Sequence, residues 1–226
     1  MSEIDAEGIP VAGLSMQEIE RKTEGYLQKY HPETLGRKPI PLDVNKLLEV
    51  SLFLSHGFQM DLITAFDNPK IEARMRPIER TVQITQTCYN KIGADDGHSR
   101  FNAVHEASHV ILHDHQYQEF YLNPARMVKR ECQIYESAEW QAEHGGGAFL
   151  MPLKTLIPFL EELIQKQYDY YSIVNIIMDT YKVSQKGAMS RLRQLSKHGL
   201  RYIALAYAEN REILFSIQLQ GVKKCK

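Results

Sequence analysis

The sequence predicts an α+β fold: a small antiparallel sheet packed on helices, followed by a helical C-terminal part that ends in two strands. Apolar residues recur at three- and four-residue intervals through most of the chain, which predicts the helices. Short segments rich in β-branched residues are concentrated between residues 57 and 88, and a further pair follows residue 200. With 226 residues, 43% of them hydrophobic, the chain can bury a core as one compact domain or two small ones.

Taken in order, residues 1–14 lack periodicity and read as a mobile arm. The spacing of Ile19, Tyr26, Leu27 and Tyr30 predicts a helix over Met16–Tyr30 that stops at His31-Pro32. After a turn-rich stretch, residues 42–54 read as a second helix with Asp43 as its cap. Residues 61–66 and 81–87 read as strands, separated by Asn68-Pro69 and Arg76-Pro77. A polar loop over residues 90–98 leads into a helix over 100–115, and another helix is expected over 131–143. Met151-Pro152 marks a break, which places residues 15–152 in one domain and 153–226 in a C-terminal part. That part comprises helices over 153–166, 172–181 and 183–199, the last ended by Gly199, and a hairpin of strands over 201–207 and 212–219.

Several function classes fall away on composition. The longest apolar stretches, such as residues 170–178, are far shorter than a bilayer span and are interrupted by Ser172 and Asn175, so no membrane helix is expected. The acidic N-terminus, broken by Pro10, does not read as a secretory signal, and the expected location is the cytoplasm. Cys88, Cys132 and Cys225 are too few and too scattered for a disulfide framework and read as free thiols. A net charge of −1 provides no global field to gather nucleic acid or anionic membrane. Residues 172–199 resemble a helix-turn-helix made basic by Lys182, Lys186, Arg191, Arg193 and Lys197. Leu192 and Leu195 there suit core packing, and this segment is expected to be scaffold rather than a direct nucleic-acid reader.

The chemistry is concentrated in His105-Glu106-Ala107-Ser108-His109, an H-E-x-x-H pattern on the helix over 100–115. Residues four apart on an α-helix are offset by about 40° around its axis, so both imidazoles can face one metal ion. Neutral imidazole suits zinc, and a catalytic zinc site uses three protein ligands and leaves a position for water. Glu106, beside the first ligand, is placed as a general base toward that water and as the carrier of its proton to a leaving amine. Six of the nine histidines, His98, His105, His109, His113, His115 and His144, fall between residues 98 and 144. Phe101, Val104, Ile111 and Leu112 can meanwhile pack the helix on its other side. The next helix offers Glu136, Glu139 and Glu143 on one face, and any of the three is placed to approach the metal. His113, one turn beyond His109, is a further candidate, read as a residue that packs behind the ligands. Tyr135, His144 and Tyr117 are candidate donors to an oxyanion, and the sequence does not choose among them.

Residues 100–113, with Glu139-Trp140-Gln141-Ala142 and Leu150-Met151-Pro152, resemble the ImmA/IrrE family of metallopeptidases. Members of that family pair an H-E-x-x-H helix with a Glu-x-x-Ala-Asn/Asp element leading to Leu-Met-Pro. A weaker likeness extends from Pro41-Leu42-Asp43 to Val183-Ser184, Ala188-Met189 and Arg191-Leu192. The resemblance implies a zincin-like core, a Zn2+ cofactor held by His105, His109 and Glu139, and Glu106 as catalytic base. It also implies that Glu143, where Asn or Asp is usual, orients His105 from behind. The implied reaction is peptide-bond hydrolysis, and the implied partner is a protein substrate, a helix-turn-helix transcriptional repressor, often of a mobile element or a stress response. Gly145-Gly146-Gly147 departs from the usual Phe-Ala-Ala. Because each glycine disfavours a helix by roughly 1 kcal/mol relative to alanine, the helix is expected to end or kink there.

Overall fold

In a computed structural model, which describes residues 11–122 and 133–197, the first helix begins at a reciprocal cap. The Ser15 hydroxyl accepts from the Glu18 amide and the Glu18 carboxylate accepts from the Ser15 amide, which starts helix α1 (Met16–Tyr30) where the sequence predicts it. Asp43 likewise caps α2 (Val44–Lys46), which continues through a π-helical turn at Leu47–Ser51 into α3 (Leu52–His56). Val11 is buried, and the Val11 and Leu14 amides donate to the Glu136 and Tyr135 carbonyls.

Strands β1 (Gln59–Ile63), β2 (Ala73–Arg76) and β3 (Thr81–Thr85) form a sheet in the order β1-β3-β2. The antiparallel neighbour of β3 is β2, a strand the sequence reading did not expect, with Ala73 opposite Ile84 and Arg76 opposite Thr81. Strand β1 joins the other edge of β3 in parallel, from Gln59 opposite Thr81 to Ile63 opposite Thr85, so the sheet is mixed. Residues 64–80, with β2 among them, supply the long return that a parallel pair requires. Val82 and Ile84 of the central strand are fully buried.

Strand β3 ends two residues earlier than expected, and the chain turns at once into α4 (Gln86–Gly93) where the sequence reads as strand and then loop. The Thr85 side chain accepts from the Cys88 amide, and Cys88 and Ile92, four residues apart, bury one face. Thr85 and Thr87 are β-branched and so look like strand, but here Thr85 serves as a helix cap. Burial pushes the Cys88 thiol up to about 11, which makes it an inert core residue.

Asp96 accepts from the Ser99 amide at the start of the long helix α5 (Gly97–Leu122). A Cβ at Gly97 would stand 2.2 Å from the Ser184 amide nitrogen, so only glycine lets α5 start against the turn between the last two helices. A 3-10 turn at Ile134–Glu136 precedes α6 (Ala138–Leu150), which is capped by Ser137. This helix lies further along the chain than expected and neither ends nor kinks at Gly145–Gly147. All three glycines are buried, and contact of Gly145 and Gly146 with α5, and of Gly147 with Arg191 and Gln194, offsets their poor helix propensity. Helices α7 (Leu153–Gln165), α8 (Tyr170–Tyr181) and α9 (Gln185–Lys197) follow close to the predicted positions.

Helix α5 packs chiefly on α6, with β2 also against it and α1 against α6. Two buried guanidinium groups tie distant segments to this pair. Arg100 donates to the Leu42 and Lys182 carbonyls at 2.8 and 3.0 Å. Arg191 pairs with Glu20 at 2.9 Å and donates to the Met151 carbonyl. Arg191, Leu192 and Leu195 are all buried, so this part of α9 faces the core. Among the described residues no helix is long and apolar enough to cross a membrane. The strands expected over 201–207 and 212–219, and Cys132 and Cys225, lie outside the described residues.

Candidate metal centre

The contact between α5 and α6 brings His105, His109 and Glu139 together. The Nε2 atoms of the two histidines are 3.1 Å apart, His105 Nε2 lies 3.1 Å from Glu139 Oε2, and His109 Nε2 lies 3.2 Å from Glu139 Oε1. A tetrahedral zinc ion with metal–nitrogen bonds of ~2.05 Å holds its donors ~3.3 Å apart, so this spacing is close to one face of such a coordination shell. Two imidazoles and a carboxylate are also a donor set that zinc favours. Among the described residues this is the group of histidine, cysteine or acidic side chains whose ligand atoms converge, all within 4.8 Å of one another. Helical spacing aligns the two histidines, and the Ser137 cap fixes where α6 begins and so the level of Glu139.

Charge is unevenly shared. Burial opposes protonation of His105, but its hydrogen bond to Glu139 and the charges of Glu106, Glu139 and Glu143 outweigh it and raise its pKa. Burial likewise works against the Glu139 carboxylate, yet its hydrogen bonds with His105 and His109 hold it well below the usual carboxylate range.

Glu106 is half-buried and points to the sheet, where its Oε2 accepts from the Met75 amide of β2 at 2.7 Å. A backbone group therefore steadies this carboxylate, and no side-chain pattern in the sequence signals it. Glu136 accepts from the Gln133 amide in its own turn and stands outside the converging group. Glu143 is exposed; it adds negative charge near His105 without a hydrogen bond to it.

His113 lies behind the ligands rather than among them. Its Nε2 is 2.9 Å from Gln141 Oε1, and burial pushes its pKa down to about 3, so it is neutral. Gln141 is completely buried and donates through Nε2 to the Ala12 and Tyr135 carbonyls at 2.9 and 2.7 Å. Sequence reasoning overlooked Gln141, although a glutamine between the small residues of a core-facing helix turn is the available signal. The remaining histidines are elsewhere. His98 is beside Asn102, His115 is exposed beside Glu119, and His144 donates to the Trp140 carbonyl. Of the three candidate oxyanion donors, Tyr135 is exposed near Gly13, His144 stacks on Trp140, and Tyr117 is fully buried with its hydroxyl 3.1 Å from His109 Nδ1.

Residues 88–193 match the family model described as the IrrE N-terminal-like domain, Peptidase_M78. The match takes in α5 and α6 and all the residues of the converging group. Comparison with curated proteins finds no match. Among solved structures, a Mycobacterium tuberculosis transcriptional regulator is similar in fold, with a TM-score of 0.51 and 11% sequence identity. The alignment covers 78% of this chain and 46% of that one, so this chain spans less than half the length of that regulator.

Proposed function

From the membership of residues 88–193 in the IrrE N-terminal-like peptidase family, we propose that the protein is a zinc-dependent endopeptidase that cleaves a protein substrate. The observation that supports this most directly is the convergence of His105, His109 and Glu139 on one point, with Glu106 adjacent. In this reading the three converging side chains hold the ion. Zinc, when bound, supplies Lewis acidity and brings the pKa of a coordinated water from about 16 to about 7.

The remaining work falls to the chain's own residues. Glu106 takes the proton from the attacking water and delivers it to the departing amide nitrogen, so its carboxylate must be both mobile in protonation and fixed in place. The Met75 amide fixes one carboxylate oxygen and leaves the other for the water. Glu139 contributes a full negative charge to the ligand set. Glu143 supplies charge behind His105 rather than a direct contact. The resemblance to the ImmA/IrrE family supports a helix-turn-helix repressor as the protein cleaved, acting in transcription control.

The test is metal content by mass spectrometry, followed by incubation of the zinc-loaded protein with candidate repressors. One zinc per chain in the wild type and in Glu106→Gln, with cleavage in the wild type alone, is the expected outcome. A wild-type protein that takes up no metal from excess zinc would overturn the reading.

A further inference from the structure

We infer that Tyr117 is a positioning residue for His109: its hydroxyl accepts the His109 Nδ1 proton, fixes the tautomer and aims Nε2 at the ion. This rests on the metal-centre reading above. The sequence offers Tyr117 as a donor to substrate, yet its side chain is fully buried at the second turn beyond His109, on the side away from the converging atoms.

A histidine that gives Nε2 to a metal must carry its proton on Nδ1, and a proton buried without an acceptor is costly. His109 is itself 2% exposed, so water has little access to supply that acceptor. The Tyr117 hydroxyl, 3.1 Å from Nδ1, fills the role that a carboxylate or backbone carbonyl takes in many zinc sites.

The phenol is itself held. The His113 ring packs edge-on against it at 5.7 Å between centroids and lies 5.5 Å from the His109 ring. His113 is fixed in turn by Gln141. Both Gln141 amide hydrogens go to the Ala12 and Tyr135 carbonyls, so its oxygen faces His113 and must accept the Nε2 proton. His113 is thereby a neutral ring of defined orientation that keeps Tyr117 from turning away. Thus a chain of contacts from the 11–14 segment reaches the ligand His109.

The experiment titrates zinc against a competing chelator and records the visible spectrum of the cobalt-substituted protein, for the full chain and for Tyr117→Phe. Tyr117→Phe is expected to weaken zinc binding by ~10–100-fold and to shift the cobalt bands, while the metal-free protein keeps the wild-type circular dichroism spectrum. Equal affinity and an unchanged spectrum would overturn the inference and leave the metal-centre reading standing, whereas a wild type that binds no zinc overturns that reading first. If Tyr117→Phe does not fold, nitrogen NMR of the zinc-loaded wild type decides: a His109 Nδ1 proton protected from exchange supports the assignment, and ligation through Nδ1 or a freely exchanging Nδ1 proton overturns it.

Discussion

His109 and His113 are four residues apart on one face of α5 and equally buried, yet they belong to two differently built regions. At His109 three side chains converge with their ligand atoms turned toward a common point. One turn on, at His113, the ring is hydrogen-bonded to a glutamine whose own donors are both used. Electrostatics follow the same division, since neighbouring carboxylates raise the pKa of His105 while burial lowers that of His113 to about 3. Helical spacing is identical in the two cases. What differs is the residue that α6 presents opposite: an anionic Glu139 at one level, a neutral Gln141 at the next. An open donor set and a closed hydrogen-bond network can therefore be two consecutive rungs of a single helix pair.

The largest expected effects come from the open region. Glu106→Gln should keep its zinc and lose ~10²–10⁴-fold in cleavage rate, because the ligands remain and the proton carrier is gone. Glu139→Ala should abolish stoichiometric zinc binding, whereas Glu136→Ala should retain it; metal analysis of the three purified variants separates these outcomes. Zinc retained by Glu139→Ala would erase the distinction drawn between the two rungs.

Breaking the closed region should have the opposite signature. Gln141→Leu leaves the His113 Nε2–H and the Ala12 and Tyr135 carbonyls without their partner, and leaving such buried groups unsatisfied costs ~1–3 kcal/mol. Urea unfolding of the metal-free protein should register that loss, while the zinc stoichiometry stays at the wild-type value.

A third buried histidine sharpens the comparison through pH. His31 is fully buried against Ser51, and burial, reinforced by Lys46, lowers its pKa despite the opposing charges of Glu33 and Asp43. In the unfolded chain it titrates near 6.5, so below that pH the unfolded state takes up a proton that the folded state resists. Its contribution to stability is complete above about pH 6.5 and falls at lower pH by at most about 1.4 kcal/mol per unit. Unfolding midpoints measured between pH 7 and pH 5 should fall more steeply in the wild type than in His31→Gln.

The smallest effect distinguishes two glycines of α6, Gly145 packed on α5 and Gly147 facing Arg191 and Gln194 of α9. A Cβ at Gly145 would lie 3.1 Å from Ser108 and Leu112, but at Gly147 the nearest atoms are 3.6 Å away. Gly147→Ala should therefore gain part of the ~1 kcal/mol of helix propensity, seen as a higher melting temperature. Gly145→Ala should gain less or lose stability.

Much of this molecule was legible in its sequence, and the legible parts share a physical origin. The Ser15 and Asp43 caps, the span of α1 and the alignment of His105 with His109 depend on interactions within one or two helical turns. Local spacing therefore determined them, and the Glu-x-x-Ala resemblance added Glu139. Tertiary structure alone decided the parallel partner of β3 and the inward course of Arg191 toward Glu20. It also decided the Met75 amide beneath Glu106, the pairing of His113 with Gln141, and the passage of α6 through three glycines. Each of these depends on which distant segment stands opposite, and no local pattern encodes that neighbour. Tyr117 belongs to both groups, since helical spacing puts it on the histidine face but only the packed interior turns its hydroxyl to His109.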